Sequence, residues 1–253
     1  MKKLFSFFAL LINIAFLSYA QESDIHPADI VGRLWGDKAK PAITNLAYTY
    51  TENRSELTIS FIDDIEITMD TFYDRLGDDQ VIEITKAGEP LYSFLSPYPM
   101  GYGPYFYGAY RIQLSPGSPY TVLLATFPIG ASGLSASMSF GILIDIEAKN
   151  YQLVSTYGSV EDNFVDIDGN GEFEFISVDI DGSRSDPENL KQIANIFSQD
   201  GSGFYTVNNS MQESYVYVLF FEDFRIERVD RREVGLRISP DVFEFDNMSY
   251  GDN

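Results

Sequence analysis

Apolar and polar residues alternate in the segment Glu56-Leu57-Thr58-Ile59-Ser60-Phe61-Ile62, a pattern that indicates a β-strand. Successive side chains of a strand point to opposite faces, so Leu57, Ile59 and Phe61 share one face. Their apolar character favours contact with a hydrophobic core, whereas the small polar residues between them suit the solvent side. The segment therefore predicts a strand with one buried face.

Comparable short runs, rich in β-branched and aromatic residues, recur along the rest of the chain at intervals of about 10 to 15 residues. Clusters of Gly, Pro, Asp and Ser separate them and are typical of turns. The predicted strands cover residues 43–50, 56–62, 66–69, 81–85, 91–95, 105–114, 120–127, 139–147, 152–157, 172–180, 204–207, 214–221, 224–229 and 233–238. This spacing predicts a mainly β fold of antiparallel sheets, arranged as a sandwich, a barrel or a partial propeller.

Two of these runs, residues 122–125 and 216–221, carry neither charged nor amide side chains. A strand with one face in water would show polar residues at alternate positions. We therefore expect both strands to be covered on both faces.

One segment breaks the strand pattern, because Asp186 is a suitable helix N-cap and Pro187 fits the first helical position. Apolar residues then follow the i, i+3, i+4, i+7 rule of a helical stripe, namely Leu190, Ile193, Ala194 and Phe197. Gly201 supplies a stop signal. These features predict a short amphipathic helix over residues 187–198, packed on a sheet.

Residues 1–20 have the layout of a secretory signal peptide. Lys2 and Lys3 precede an apolar run at residues 4–17, and small residues then lead to Gln21. The alternative is an uncleaved anchor, but a run of about 14 residues is shorter than a membrane-spanning helix. We therefore expect a periplasmic or secreted protein that is cleaved before Gln21 and has no membrane span in its mature chain.

The mature chain is expected to have three parts. Residues 21–42 form an irregular N-terminal segment, which carries the only Trp, Trp35. Residues 43–246 form a single β-rich domain, and residues 247–253 form a flexible tail. We expect Trp35 to act as an anchor in the core or at a sheet edge rather than as a ligand platform.

The composition excludes several classes of function. The chain has 253 residues, with 38 Asp and Glu against 17 Lys and Arg, a net charge of −21, one His and no Cys. Such an excess of acid argues against nucleic acid or an anionic membrane as the main partner, since both need a basic surface. Without Cys there is no thiol catalysis, disulfide, Cys-ligated metal or lipoprotein anchor.

Oxygen-bearing side chains are concentrated at residues 166–174, where Asp166, Asp168, Asn170 and Glu174 occupy loop positions 1, 3, 5 and 9. Calcium prefers about six to eight oxygen ligands, and alternating acids in a tight loop surround one point. Gly171 permits a sharp turn after the third of these side chains. Three carboxylates this close repel one another unless a cation offsets their charge. The loop therefore predicts a calcium site.

These residues resemble the calcium loop of FG-GAP or VCBS-type repeats, known from integrin-like propellers and many exported bacterial proteins. The resemblance extends to Gly169 and to the apolar flanks Phe164, Phe173, Phe175 and Ile176. The resemblance covers one copy of a loop that the family usually repeats once per blade. It implies a structural calcium ion, held by the side chains of Asp166, Asp168, Asn170 and Glu174 and by the backbone carbonyl of Glu172. An EF-hand is a poorer match, because Ser177 stands where that loop needs a bidentate Glu.

Two alternatives stay open at this loop and beside it. Residues 166–174 also suit a polar hairpin turn that holds no ion. A second acidic loop, residues 179–186, begins like the first, but Arg184 intrudes and Pro187 stands at its ninth position. A second ion there is the less favoured alternative.

Two biological roles are compatible with an exported calcium-binding β protein. The first, which we prefer, is a binding or interaction module of the cell envelope that contacts protein or glycan through Tyr98, Tyr102 and Tyr105. These tyrosines also suit a loop that folds back onto the core. The second role is a polysaccharide hydrolase that uses paired carboxylates, although we expect pairs such as Glu161-Asp162 to lie in solvated turns.

Overall fold

The computed structural model describes residues 30–50, 56–61, 64–70, 81–95, 104–128, 138–183, 186–199, 203–206, 215–230 and 241–244. Its elements in chain order are α1 (Ile30–Trp35), β1 (Ile43–Asn45), β2 (Tyr48–Tyr50), β3 (Glu56–Ser60), β4 (Ile65–Asp70), β5 (Val81–Lys86), β6 (Glu89–Leu95), β7 (Pro104–Ile112), β8 (Thr121–Pro128), β9 (Met138–Asp145), β10 (Asn150–Tyr157), a 3-10 turn (Val160–Asn163), β11 (Phe164–Val165), β12 (Glu174–Ser183), β13 (Asp186–Gln199), β14 (Phe204–Thr206), β15 (Tyr215–Phe220), β16 (Ile226–Asp230) and β17 (Asp241–Glu244).

The strands form three sheets, and the described strand pairs are all antiparallel. The N-terminal sheet has the order β2-β3-β4-β5-β6, and the central sheet has the order β1-β7-β8-β9-β10-β17. The C-terminal sheet has the order β11-β12-β13-β15-β16, with β14 paired to β13. The predicted mainly β, sandwich-like fold is confirmed.

The central sheet is covered on both faces. Val122 and Leu124 of β8 belong to a core that also contains Leu57 and Ile59 of the N-terminal sheet. The intervening Leu123 and Ala125 belong to a second core, with phenylalanines of the C-terminal sheet, Phe175 and Phe197 among them. Residues 122–125 are fully buried, so the prediction that this strand is covered on both faces is confirmed.

The segment of alternating apolar and polar residues that begins at Glu56 contains β3. Leu57 and Ile59 are fully buried, whereas Ser60 is exposed and Thr58 is half-buried. Residues 216–221 also follow their prediction, since Val216 and Val218 join one apolar cluster while Leu219 joins another. In these two strands, the residue pattern therefore correctly predicted which side chains are buried.

The predicted helix over residues 187–198 is wrong, because Asp186–Gln199 is the long strand β13. It pairs with β12 along one edge and with β14 and β15 along the other. Three of the four apolar residues of the predicted helical stripe, Ile193, Ala194 and Phe197, lie in three different apolar clusters. Asp186 is accordingly the first residue of a strand and not a helix cap.

The segment predicted to be irregular, residues 21–42, contains the short helix α1. Trp35 ends this helix and is 6% exposed, with its ring edge-on to that of Tyr217 at 5.4 Å between centroids. The expectation that Trp35 is a core anchor is confirmed. In the part of the chain that the structure covers, no helix is long and apolar enough to cross a membrane.

Some predictions lie outside the described residues. These are the signal peptide 1–20, the tail 247–253 and the strand 233–238.

Leu123→Ala should lower the unfolding free energy by about 2–5 kcal/mol, because it leaves a cavity in a fully packed strand. Leu91→Ala is a matched control, since Leu91 is 39% exposed and its truncation should change stability by no more than about 0.5 kcal/mol. Urea unfolding of both variants measures the difference. An equal decrease in unfolding free energy for both variants would contradict the burial of β8 between two cores.

Candidate metal centre

The predicted calcium loop is the connection of the β11–β12 hairpin. Phe164 pairs with Phe175 and Val165 pairs with Glu174, so the loop leaves and re-enters the sheet at adjacent positions. The two aromatic rings lie 5.1 Å apart in the core. This packing holds the base of the hairpin, and Asp166 and Glu174 are therefore brought close together although the loop separates them in sequence.

Asp166 organises the inside of the loop. It is 7% exposed, and its two carboxylate oxygens accept backbone hydrogen bonds from Gly169 at 2.7 Å and from Gly171 at 3.0 Å. Both glycines have positive φ angles, 81° and 89°, which few other residues adopt without strain. The loop thus curls around the carboxylate of its first predicted ligand.

The exposed rim of the loop is formed by Asp168, Asn170 and Glu172. Asp168 Oδ1 accepts a hydrogen bond from the backbone of Asn170 at 3.1 Å, and Asn170 Oδ1 accepts one from the backbone of Glu172 at 2.6 Å. These are the side-chain-to-backbone bonds that Asp and Asn make in turns. They orient the alternating oxygens without help from a more distant part of the chain.

Glu174 is the second buried carboxylate of the loop, at 9% exposure. Its Oε2 accepts a hydrogen bond from the backbone N–H of Ile167 at 2.9 Å. Burial raises the pKa of Glu174 above its ordinary value of 4.5, and the nearby charges of Asp168 and Asp166 raise it further, against the lowering effect of backbone N–H groups. Ionisation of Glu174 is therefore less favourable in the folded protein than in water.

The donor set suits a hard cation in its chemistry, since it consists of carboxylate and amide oxygens. Each ionised carboxylate has about four lone-pair sites, so the N–H bonds of Asp166 and Glu174 leave acceptor capacity. Across the described ranges, however, no three His, Cys, Asp or Glu side chains converge into a ready-made metal site. The geometry therefore places Asp166 and Glu174 together at the base and leaves Asp168, Asn170 and Glu172 on the rim.

Distant segments hold the loop in place, and sequence reasoning missed them. The backbone N–H of Asp166 donates to the carbonyl of Ala39 at 2.9 Å, and that of Phe173 donates to Leu114 at 3.0 Å. A Cβ added at Gly171 would meet the ring of Pro116 at 2.8 Å. Nothing in the loop's own sequence signals these contacts, because backbone groups and a turn proline make them.

Glu161, outside the loop, is a further carboxylate with defined hydrogen-bond partners, although it was predicted to lie in a solvated turn. The Tyr107 hydroxyl donates to its Oε2 at 2.9 Å, and the Tyr110 hydroxyl donates to its Oε1 at 3.1 Å. A bulge in β7 between Phe106 and Gly108 lets both tyrosines reach the same carboxylate. Glu161 therefore ties the 3-10 turn to β7, while Asp162 beside it is exposed as expected.

Burial, followed by the charge of Glu161, raises the pKa of both tyrosine hydroxyls. The two groups therefore stay protonated at neutral pH and remain donors to the carboxylate. This arrangement is that of a structural clasp, since both oxygens of Glu161 are already engaged.

The other predicted features have different outcomes. In the second acidic loop, Asp181 lies within β12 and forms an ion pair with Lys191 at 2.9 Å. Tyr98 and Tyr102 lie outside the described residues, and Tyr105 is located only as a backbone position in β7. The proposed tyrosine contact surface therefore stays a prediction.

Comparison of the chain with known proteins does not add a relative. No family model, no curated protein and no solved structure matches it.

Gly171→Ala should destabilise the protein more than Gly169→Ala. Both substitutions force a side chain into the left-handed region, which costs roughly 1–2 kcal/mol, but only the Cβ at 171 also strikes Pro116. Thermal or urea unfolding of the two variants tests this order. A larger loss for Gly169→Ala would show that Pro116 does not support the loop.

Glu174→Gln should stabilise the calcium-free protein increasingly as pH rises above 4.5, the ordinary pKa of the group. A raised pKa means that the folded protein holds a proton which the unfolded chain releases, so wild-type stability falls as pH rises through this window. Glutamine is neutral, so the variant does not lose stability as pH rises through this window. Urea unfolding at several pH values measures the stability of Glu174→Gln relative to wild type, and Glu172→Gln, at an exposed position, is the control. A stability difference that does not change with pH would contradict a raised pKa of Glu174.

Proposed function

We propose that this chain is an exported β protein that binds one calcium ion at residues 166–174 and uses it to stabilise the folded state. The observation that carries the proposal is the buried carboxylate of Glu174, which lies beside Asp166 and under the influence of Asp168. A divalent cation would offset these charges where water cannot solvate them fully. The resemblance to FG-GAP or VCBS-type loops supports the same ligands.

The proposed ligands are the side chains of Asp166, Asp168, Asn170 and Glu174 and the carbonyl oxygen of Glu172. An all-oxygen set favours calcium over zinc or copper, which prefer nitrogen and sulfur ligands. Asp166 and Glu174 supply charge at the base of the hairpin, and the rim residues complete the set from the solvent side. The ion itself would supply charge neutralisation and cross-linking, with no role in covalent chemistry.

Calcium at this loop would stabilise more than the hairpin, because the loop touches two other parts of the chain. Its first residue is bonded to Ala39 and its penultimate residue, Phe173, to Leu114. Ligand binding to the folded state adds RT ln(1 + [Ca]/Kd), about 2.7 kcal/mol at a hundredfold excess over Kd. An exported chain without Cys lacks disulfides as cross-links, and a bound ion would serve that purpose.

The biological role that we propose is a binding or interaction module of the cell envelope, with protein or glycan as partner. Exposed aromatic side chains support it: Tyr48 and Tyr50 on the edge strand β2 are 44% and 41% exposed. Aromatic rings with a polar tip suit both sugar faces and protein surfaces. Tyr98, Tyr102 and Tyr105 remain proposed members of such a surface.

The calcium proposal is tested by calorimetric titration of metal-free protein with calcium, together with melting temperatures in calcium and in EGTA. Wild-type protein should bind one ion and melt higher in calcium. Asp168→Asn keeps the oxygen that bonds the backbone of Asn170 but removes a charge, so it should weaken binding by about tenfold or more and hardly change the melting temperature in EGTA. Asp168→Ala should weaken calcium binding in the same way. It also removes the oxygen that accepts from Asn170, so its melting temperature should be slightly lower in both buffers.

Asp223→Ala is the control, because Asp223 is an exposed acid that accepts a turn hydrogen bond elsewhere. It should leave calcium affinity unchanged. If metal analysis found no bound calcium, or if the Asp168 variants lowered the melting temperature equally in calcium and in EGTA, residues 166–174 would be a hairpin turn without an ion.

A further inference from the structure

Residues 30–41 lie across the C-terminal sheet as a strap, which we call the N-terminal strap. Within it, α1 places Ile30, Val31 and Trp35 in one apolar cluster with residues of β11, β12, β13 and β15, namely Val165, Ile176, Val178, Ala194 and Leu219. All of these side chains are buried. The strap therefore covers one apolar face of the C-terminal sheet.

Polar contacts attach the strap at its two ends. At the start, the backbone N–H of Ile30 donates to Gln192 Oε1 at 3.2 Å. Near the end, the carbonyl of Ala39 accepts from the backbone N–H of Asp166 at 2.9 Å, in an isolated bridge between these two residues. Lys40 adds a long, exposed contact of 3.9 Å to Asp162, which contributes little.

The helix within the strap has only six residues. Isolated helices shorter than about 12–15 residues are marginal in water, so α1 depends on its docking against the sheet. A short helix that depends on such docking is a candidate for opening as a unit with its strap, well below the free energy of global unfolding.

Asp166 connects the strap to the loop. Its backbone N–H bonds Ala39, while its carboxylate accepts from Gly169 and Gly171. The residues on either side of it, Val165 and Ile167, belong to or pack against the strap's apolar cluster. A change in the path of residues 165–167 would therefore disturb the loop and the strap together.

We propose that the loop 166–174 and the N-terminal strap open and close as one unit, so that a closed loop keeps α1 docked and an open loop releases it. Release exposes the apolar face of the C-terminal sheet that α1 covers. Where calcium is the effector that closes the loop, the inference rests on the proposed function; the coupling itself rests on the shared backbone at Asp166.

The test uses Asp166→Ala in the whole chain. This variant deletes the carboxylate that holds the loop closed but keeps the backbone N–H that bonds Ala39, so any effect on the strap must pass through the loop. Hydrogen exchange should become at least about tenfold faster at residues 30–40, equivalent to about 1.4 kcal/mol, while β8 and β9 keep their wild-type rates. Trp35 is the only Trp, and its fluorescence should shift to the red and become more accessible to acrylamide.

Asp223→Ala is again the control, and it should leave the strap unchanged. If Asp166→Ala does not fold, Asp166→Asn keeps one acceptor oxygen and should give a smaller increase in the same amides. Unchanged exchange at residues 30–40 while Gly169 and Gly171 exchange faster would overturn the coupling.

Measuring hydrogen exchange with and without calcium separates the coupling proposal from the proposed function. If calorimetry shows calcium binding but the strap exchanges equally fast with and without calcium, calcium is not the effector that closes the loop, and the proposed function stands. If calcium does not bind but Asp166→Ala still releases the strap, the coupling stands and the proposed function is wrong.

Discussion

Burial of both faces of the central sheet is the constraint on which the other layers depend. Leu123 and Leu124 are neighbours on β8, yet they enter different cores, because adjacent strand side chains point to opposite sides. Full burial of a large aliphatic side chain contributes about 1.5–3 kcal/mol, so a layer must cover each face. The N-terminal sheet covers one, and the phenylalanines of the C-terminal sheet cover the other.

The candidate metal centre lies at the edge of the second of these cores. Phe164 and Phe175 pack inside it, and the polar loop begins and ends immediately beyond them. This position explains why Asp166 and Glu174 are buried while the rim residues are exposed. A core that fixes the hairpin base therefore draws two carboxylates out of water, and their need for compensation is the physical basis of the calcium proposal.

Residues 187–198 were predicted to be a helix but form a strand, because tertiary packing outweighs the local helix signals. A good N-cap contributes about 1 kcal/mol, which is small beside the burial available to a strand that pairs along both edges. The apolar residues of that segment serve several clusters because both faces of the C-terminal sheet are covered there. A similar limit applies to residues 43–50: they form β1 in the central sheet and β2 in the N-terminal sheet, and no local pattern marks a crossing between sheets.

Local sequence was enough to predict the β class, the buried face of β3, the full burial of residues 122–125 and the concentration of oxygen-bearing side chains at residues 166–174. Each of these follows from side-chain periodicity or composition within a few neighbouring residues. Tertiary packing sets which strands pair. It also brings the carbonyls of Ala39 and Leu114 to the loop and the hydroxyls of Tyr107 and Tyr110 to Glu161. Those contacts join backbone groups and side chains far apart in the chain, and their energies depend on a geometry that exists only once the layers have packed.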